Sequence, residues 1–191
     1  MSSVVLLASG SGTNVENIVK FFSNDPDVNI KYILTNNPKA FVIERAKRLN
    51  IPYKVFSRQQ LYEDGSVLTL LKELDPDLIV LAGFLWLMPS AIIKEFPGRI
   101  INIHPALLPK YGGKGMYGSK VHEAVVDNKE KESGITIHYV NEKYDEGNII
   151  FQAKCEVLPE DTPEDVAEKV HKLEYEHFPK VIKELLNTPQ H

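Results

Sequence analysis

The stretch that most constrains the fold is an uninterrupted apolar run, Leu78-Ile79-Val80-Leu81-Ala82. A run of this length without polar alternation is typical of a strand that is buried on both faces, as the strands of parallel sheets are. The turn residues Asp75-Pro76-Asp77 precede the run and Gly83 follows it, so it is bounded on both sides as a short strand should be. We therefore expect residues 78–82 to lie at the centre of a parallel sheet with helices on both faces.

Strands and helices alternate along the first half of the chain. Val4-Val5-Leu6-Leu7-Ala8 is a second continuous apolar run, and the glycine-containing turn after it leads into a helix capped by Thr13 or Asn14. The patterns then predict a strand at residues 29–35 and a helix at residues 40–49 with Phe41 facing inward. A short strand at residues 53–56 and a helix at residues 57–74, broken at Gly65, are predicted to follow. Such alternation indicates right-handed strand–helix–strand units, a parallel sheet and hence an α/β fold.

The second half begins with a strand that ends in polar residues. In Ile100-Ile101-Asn102-Ile103-His104 the apolar and polar residues alternate, which places Asn102 and His104 on one face. Pro105 and Pro109 end the strand, because proline cannot donate to a ladder. The two polar side chains are therefore expected at the carboxyl end of a strand, the edge of α/β sheets at which ligands bind.

Two more strands are predicted, at residues 135–140 and 149–157, joined by a turn around Asp145-Glu146-Gly147-Asn148. Their short connection makes them antiparallel neighbours, so the sheet should be mixed. A long helix is predicted to follow, with Thr162 as its cap and Pro163 at its first position. One domain over residues 1–191 accounts for all of these elements.

The composition narrows the range of partners. With 191 residues, 43% hydrophobic and 25% charged, the chain suits one soluble domain. Its formal net charge of -4 argues against a nucleic-acid surface, so small molecules are the expected partners. The one cysteine, Cys155, has no internal partner for a disulfide, and the longest apolar run, residues 78–88, is too short to span a bilayer. We expect a cytoplasmic protein that binds neither nucleic acid nor membranes.

Asn102 and His104 together suit acyl-group chemistry. An amide side chain offers N–H donors to a developing oxyanion, and an imidazole can transfer a proton near neutral pH. The same pair is also compatible with two satisfied polar groups that only close a strand end. The sequence has no histidine and cysteine cluster at ligand spacing, so no metal site is predicted.

The turn after the first strand suits a phosphate group. Strand, glycine turn and helix form a general anion site, in which backbone N–H groups converge at the positive end of the helix dipole. A dinucleotide fingerprint is disfavoured, because Val15 occupies its third glycine position and Thr35-Asn36-Asn37 supplies no acidic residue. What remains is a site for one phosphomonoester at Gly12, Thr13 and Asn14, with an unliganded turn as the alternative.

Two motifs resemble those of a known family. Asn102-Ile103-His104-Pro105-Ala106-Leu107-Leu108-Pro109-Lys110-Tyr111 is similar to the hallmark of the folate-dependent formyltransferases, and Asp145-Glu146-Gly147-Asn148-Ile149-Ile150 matches their Asp-x-Gly-x-Ile-Ile signature. The resemblance implies a three-layer Rossmann-like fold, with a mononucleotide-binding half at about residues 1–100 and a catalytic and folate-binding half at about residues 101–191. One departure is the glycine-rich stretch of residues 110–118, which is longer than in several members of the family.

The resemblance also implies roles for individual residues. Asn102, His104 and Asp145 would be catalytic, and the Asp145 carboxylate would orient the His104 imidazole and raise its pKa. From the residues alone, Asp145 is more typical of a turn former, residues 85–88 of a core, and both Arg58 and Glu174 of solvated helix positions. The other implied contacts are with a ribonucleotide (Gly12, Thr13, Asn14 and Glu174) and with a folate (Arg58, Leu85, Trp86, Leu87, Met88 and Asn102). Of the remaining histidines, His122 and His138 are expected either to be structural or to support the site residues without touching a ligand, and surface positions are expected for His171, His177 and His191.

The function that the resemblance implies is transfer of the formyl group of 10-formyltetrahydrofolate to the amine of 5-phosphoribosylglycinamide. The products would be N-formylglycinamide ribonucleotide and tetrahydrofolate, a step of purine (IMP) biosynthesis, made by a monomer or homodimer without a metal. Two other functions stay open: hydrolysis of formyltetrahydrofolate, and binding of a phosphorylated metabolite without chemistry. The hydrolase is less favoured, because such enzymes usually carry an N-terminal regulatory domain and the catalytic type of domain is expected to begin here at Val4.

Overall fold

A mixed sheet of seven strands forms the centre of the described part of the chain. The computed structural model describes residues 1–188, so the surface position predicted for His191 lies outside the described residues. The strands are β1 (Ser2–Leu7), β2 (Val28–Thr35), β3 (Tyr53–Val55), β4 (Leu78–Leu81), β5 (Ile100–His104), β6 (Glu132–Tyr139) and β7 (Ile149–Glu156). The helices are α1 (Thr13–Phe22), α2 (Val42–Arg48), α3 (Arg58–Tyr62), α4 (Ser66–Leu74), α5 (Ser90–Glu95), α6 (Ser119–Asp127) and α7 (Pro163–Asn187).

The strand order is β3-β2-β1-β4-β5-β6-β7. The first five strands in this order are mutually parallel, whereas β6 pairs antiparallel with both β5 and β7. This arrangement confirms the predicted α/β class and the mixed sheet. β4 lies between β1 and β5 and each of its residues is buried, which confirms the central position predicted from its apolar run.

Two hydrophobic cores cover the sheet, one on each face. On one face Val4 and Leu6 of β1 pack in the core shared with α1, α2, α6 and α7. On the other face Val5 and Leu7 pack in the core shared with α3, α4 and α5. The side-chain period of two along a strand sets this division, and burial on both faces explains why β4 is apolar throughout.

Most of the local helix signals are realised. Ser57 caps α3 in a capping box with Gln60, and Gly65, with a left-handed φ of 74°, separates α3 from α4 as predicted. Thr162 caps α7 and Pro163 begins it, also as predicted. Over residues 1–188, no helix combines the length and the apolar character needed to cross a membrane.

Two local predictions were wrong. Phe41 is 50% exposed instead of facing the core, because α2 begins at Val42, two residues later than predicted, and the Phe41 ring packs against the guanidinium group of Arg45. The cap of α1 is Gly12 rather than Thr13 or Asn14, and no side chain accepts a hydrogen bond there. The N–H groups in the first turn of α1 are therefore left without a side-chain cap.

Candidate active site

A cavity of about 680 Å³ opens at the carboxyl edge of the parallel strands. The loops after β1, β4 and β5 contribute to its walls, since the carboxyl ends of neighbouring parallel strands meet at one edge. Its volume is typical of sites for small molecules. Of the predicted site residues, all but Arg58 line it, namely Gly12, Thr13, Asn14, Leu85, Trp86, Leu87, Met88, Asn102, His104, Asp145 and Glu174.

Asn102, His104 and Asp145 converge in this cavity. The Nδ1 atom of His104 lies 3.5 Å from Oδ2 of Asp145, and Nδ2 of Asn102 donates to Oδ1 of Asp145 over 3.5 Å. His138 pairs with Asn102 in the antiparallel register of β5 and β6, and its Nε2 lies 3.1 Å from Nδ2 of Asn102. The same Nε2 is 3.6 Å from Oδ1 of Asp145. Alternation along β5 and pairing with β6 thus gather one amide, two imidazoles and one carboxylate.

The ring of His104 is held in one orientation from both sides. Its Nε2 lies 2.7 Å from the carbonyl oxygen of Tyr111. A carbonyl oxygen can only accept, so Nε2 carries the proton and donates it. In the neutral imidazole Nδ1 then has a lone pair that faces Asp145. His104 is therefore arranged to take up a proton at Nδ1, beside a carboxylate that stabilises the resulting charge.

Burial keeps His104 neutral at rest. The residue is only 4% exposed, and loss of hydration lowers its pKa below the usual 6.5, although the Asp145 charge and the Tyr111 carbonyl act in the opposite direction. Asp145 does act to raise the pKa of His104, as predicted, but burial has the larger effect and the net shift is downward. A neutral imidazole acts first as a base and only then as an acid.

Asp145 is held in its ionised form. Burial opposes its charge, but the contact with His138, the neighbouring His104 and the N–H of Gly113 together bring the pKa of Asp145 below its usual value. The Gly113 N–H donates to Oδ2 at 3.0 Å. The carboxylate can therefore serve as a fixed negative charge beside the two imidazoles.

Close packing of the turn between β6 and β7 explains the Asp-x-Gly spacing. Asp145 has a left-handed backbone with φ of 55°. A Cβ atom on Gly147 would lie 1.6 Å from the carbonyl oxygen of Tyr139, so the backbone of the turn packs directly against the end of β6. Glycine at position 147 thus lets the turn bring the Asp145 carboxylate into the cavity.

The long loop after β5 forms part of the cavity wall. Tyr111 has a left-handed φ of 56°, and its hydroxyl donates to Oε1 of Glu130 at 2.8 Å. Burial and this hydrogen bond raise the pKa of Tyr111 to about 12, so the hydroxyl keeps its proton. Residues 113–118 line the cavity itself. The stretch of residues 110–118, which is longer than in several members of the family, therefore borders the site, and its Tyr111 supplies the carbonyl oxygen that orients His104.

The turn between β1 and α1 has the features of an anion site. Gly12 has a φ of 75°, and a Cβ atom there would lie 2.4 Å from Cγ2 of Val42, so glycine is required for two independent reasons. The first turn of α1 has no side-chain cap, and Gly12, Thr13 and Asn14 all line the cavity. Uncapped N–H groups at the positive end of a helix favour a negatively charged ligand.

We expect the Gly12→Ala variant to be markedly less stable than wild type. A left-handed backbone costs a residue with a Cβ about 1–2 kcal/mol, and overpacking a filled site adds about 1–3 kcal/mol. Gly65→Ala is the matched control, because Gly65 has a φ of 74° at the start of α4 but nothing within 4 Å of the added carbon. Urea denaturation should show a clearly larger loss for Gly12→Ala than for Gly65→Ala. Equal losses would show that contact with Val42 does not constrain the turn.

Glu174 of α7 closes the cavity beside this turn. It is 5% exposed, accepts a hydrogen bond from Nδ2 of Asn14 at 2.9 Å, and lies 3.2 Å from Nδ1 of His171. The alternative of a solvated helix position for Glu174 was therefore wrong. Its carboxylate raises the pKa of His171, which favours a positive charge near the anion site.

Besides His104, three histidines line the cavity although the sequence patterns did not assign them to it. His122 and His138 are buried, and His171 lies beside Glu174 with its side chain 48% exposed. Within residues 1–188, Oδ1 of Asn14 and Nδ1 of His122 are buried without a hydrogen-bond partner, so a polar ligand group could pair with them. Only the spacing of three residues between His171 and Glu174 was a usable sequence signal. Within the same residues, no group of three or more His, Cys, Asp or Glu side chains could hold a metal ion.

The loop after β4 forms the apolar wall of the cavity. Residues 85–88 all line it, and the N–H of Leu85 donates to Oγ of Ser9 at 2.9 Å, which ties this wall to the loop after β1. Arg58 lies outside the cavity wall, with its guanidinium 5.2 Å from the centre of the Trp86 ring. Arg58 therefore contacts the ring of Trp86 without lining the cavity itself.

The comparison with known proteins agrees with this geometry. The model of the formyl transferase family matches residues 2–182. The chain therefore belongs to the formyl transferase family of enzymes, which implies a folate-type co-substrate.

The relatives narrow the class to one kind of formyl transferase. The chain is 37% identical over 188 residues to the phosphoribosylglycinamide formyltransferase of Haemophilus influenzae, and the aligned region covers 96% of this chain and 86% of the relative. It is 36% identical over 192 residues to the enzyme of the same name from Bacillus subtilis, covering 97% of this chain and 95% of the relative. The crystal structure of phosphoribosylglycinamide formyltransferase from Anaplasma phagocytophilum is similar with a TM-score of 0.88, at 36% identity, over 97% of this chain and 86% of that one.

Proposed function

We propose that the chain transfers a formyl group from N10 of 10-formyltetrahydrofolate to the primary amine of 5-phosphoribosylglycinamide, in purine biosynthesis. This proposal rests on one observation. A single cavity is lined by the turn at Gly12, which has the features of an anion site, and by His104 and Asp145, which are arranged to transfer a proton. The relatives that match over most of their length are named for the same reaction. An amine substrate that carries a phosphate is the ligand that these two features would hold together.

In this proposal, the substrate phosphate binds the N–H groups at the start of α1. A phosphomonoester carries about -1.5 to -2 charges at pH 7, which suits the helix dipole and a protonated His171. Glu174 would accept hydrogen bonds from the ribose or glycinamide part, since its buried carboxylate already accepts from Asn14. The pterin ring would lie against residues 85–88, the apolar wall of the same cavity.

The reaction would pass through a tetrahedral intermediate. The substrate amine attacks the formyl carbon, and the carbonyl oxygen becomes an oxyanion. The side-chain amide of Asn102 is an N–H donor that can stabilise this oxyanion, and it is oriented by Asp145 and His138. The contact of the amide with Asp145, at 3.5 Å, is longer than that with His138, at 3.1 Å, so the N–H that faces Asp145 is the one that would turn to the oxyanion while His138 keeps the amide oriented.

Proton transfer would be carried out by Nδ1 of His104. The attacking nitrogen must lose one proton and N10 of the folate must gain one before the bond from carbon to N10 breaks. Neutral His104 takes the first proton at Nδ1, and the imidazolium, stabilised by Asp145, returns it to N10. The proton balance closes without a further acid or base.

The direct test is an absorbance assay for tetrahydrofolate formation from 10-formyltetrahydrofolate, with and without 5-phosphoribosylglycinamide. A transferase should form tetrahydrofolate only when the amine is present, with N-formylglycinamide ribonucleotide as the second product. Formation without the amine would favour the hydrolase instead. Binding of the ribonucleotide without turnover would favour a binding protein without chemistry.

The Asp145→Asn variant should change the pH dependence of kcat/KM. Because His104 must start neutral, wild-type activity should fall as the pH drops below the His104 pKa, which lies under 6.5. Removing the Asp145 charge removes an effect that raises this pKa, so the acid limb should move to lower pH. The plateau rate should fall about 10- to 100-fold, because the imidazolium formed during the reaction loses the carboxylate that stabilises it.

Glu146→Gln is the matched control for this pH profile. Glu146 is the adjacent carboxylate of the same turn, its side chain is 60% exposed, and it pairs with Lys143 at 3.5 Å outside the catalytic group. Its profile should match that of the wild type. An Asp145→Asn profile with an unmoved acid limb would contradict the role of Asp145 toward His104.

A further inference from the structure

The anion-type turn is held in place by residues of α2 that lie outside the cavity. We propose that Arg45 is a positioning residue that fixes the peptide between Ser11 and Gly12, and thereby sets the affinity for the phosphate of the substrate. This inference rests on the proposed function, since it assigns a determinant of binding at the same site. Arg45 does not line the cavity, so it acts through the backbone of the turn.

The Arg45 guanidinium bridges the turn and the helix that follows it. Its Nε donates to the carbonyl oxygen of Ser11 at 2.7 Å, and its Nη1 pairs with Oε2 of Glu16 in the first turn of α1. The side chains of Arg45 and Glu16 are 17% and 18% exposed. One rigid, planar group therefore ties the last residues of the turn to α1, which a single point charge could not do.

The contact with Ser11 has a consequence for Gly12. The peptide unit is planar and trans, so the carbonyl of Ser11 and the N–H of Gly12 point in opposite directions. A hydrogen bond that holds the Ser11 carbonyl toward Arg45 thus directs the Gly12 N–H away from α2. Gly12 lines the cavity, whereas Arg45 does not, so this orientation favours a ligand on the cavity side.

Other contacts of α2 act on the same turn. The N–H of Val42 donates to the carbonyl oxygen of Gly10 at 3.1 Å, and the Val42 side chain occupies the space where a Cβ of Gly12 would be. Arg45 is three residues after Val42, on the same helical face. Three successive residues of the turn, Gly10, Ser11 and Gly12, are therefore held by one face of α2.

The chain offers a matched control in Arg48. Both Arg45 and Arg48 place the guanidinium near the Phe41 ring, at 5.0 Å and 5.7 Å from its centre. Within residues 1–188, Arg48 makes no hydrogen bond to the turn. The two arginines thus share a helix, a charge and an aromatic neighbour, and differ in the contact that the proposal depends on.

The test is titration calorimetry of 5-phosphoribosylglycinamide with the full chain as wild type, Arg45→Lys, Arg45→Gln, Arg48→Lys and Arg48→Gln. Each Arg45 variant should raise the Kd for the ribonucleotide about tenfold or more, the usual scale for disturbed hydrogen bonds to a charged group. The Arg48 variants should stay within about twofold of wild type. The Kd for tetrahydrofolate, measured in the same way, should be unchanged in all four variants, which a general loss of structure would not allow.

Several outcomes would overturn the proposal. If Arg45→Lys binds the ribonucleotide as wild type does, the charge is sufficient and the fork-shaped contact has no role. If the Kd values for ribonucleotide and folate rise together, Arg45 supports the fold as a whole. If the wild-type chain binds the ribonucleotide but does not turn it over, the proposed function is refuted, and the comparison of Arg45 variants still tests the role of Arg45. If the wild-type chain does not bind the ribonucleotide at all, both proposals are overturned.

Discussion

The His104→Ala enzyme should turn over about 10²- to 10⁴-fold more slowly than wild type, because it lacks the group that moves the proton between the two nitrogens. Its Kd for the ribonucleotide should stay close to that of the wild type, since the proposed phosphate contacts are made by Gly12, Thr13 and Asn14 and not by His104. The measurement is kcat at saturating concentrations of both substrates, combined with titration calorimetry of the ribonucleotide alone.

His177→Ala is the control for this variant. His177 lies on α7, the centre of its ring is 5.0 Å from that of Phe151, and it does not line the cavity. Its kcat should equal that of the wild type. A His104→Ala enzyme with wild-type turnover would mean that another group carries the proton, and the assignment of Nδ1 as the base would fail.

The Asn102→Ala enzyme should lose about 10²- to 10³-fold in kcat, the usual cost of removing one donor to an oxyanion. Asn102 also donates to Asp145, so part of the loss would come from a less well oriented carboxylate. Single-turnover rates of formyl transfer separate this chemical step from product release. The KM values should change much less than kcat, because the interaction strengthens mainly in the transition state.

Asn128→Ala is the control for Asn102→Ala. The Asn128 side chain donates to the carbonyl oxygen of Ala124 at the end of α6, away from the cavity wall. This variant should keep wild-type kcat, with only a small loss of stability. If Asn102→Ala raised KM while leaving kcat unchanged, Asn102 would bind substrate without stabilising the transition state.

The periodic spacing of apolar and polar residues predicted much of the fold and part of the site. The apolar run of β4 and the alternation in β5 are direct consequences of burial. The run predicted which strand lies at the centre of the sheet, and the alternation predicted that Asn102 and His104 lie on one face of β5. The turn chemistry at Gly65 and Thr162 was equally local and was also read correctly. Such features depend on neighbours in the chain, which the sequence displays.

Features that depend on tertiary contacts could not be read in this way. His138 reaches Asn102 only through the antiparallel register of β5 and β6, and the Tyr111 carbonyl reaches His104 through a loop with no regular pattern. The direction of the His104 pKa depends on how deeply the ring is buried, which the sequence does not show. Asp145 was visible as a turn residue, but its place beside an imidazole required the family signature.

The most direct measurement is a crystal structure of the chain with 5-phosphoribosylglycinamide and a folate analogue that cannot transfer a formyl group. The phosphate should lie on the N–H groups at the start of α1, and the substrate amine should point toward Nδ1 of His104 and the Asn102 amide. A phosphate bound elsewhere, or an amine directed away from His104, would contradict the proposal that this cavity performs formyl transfer.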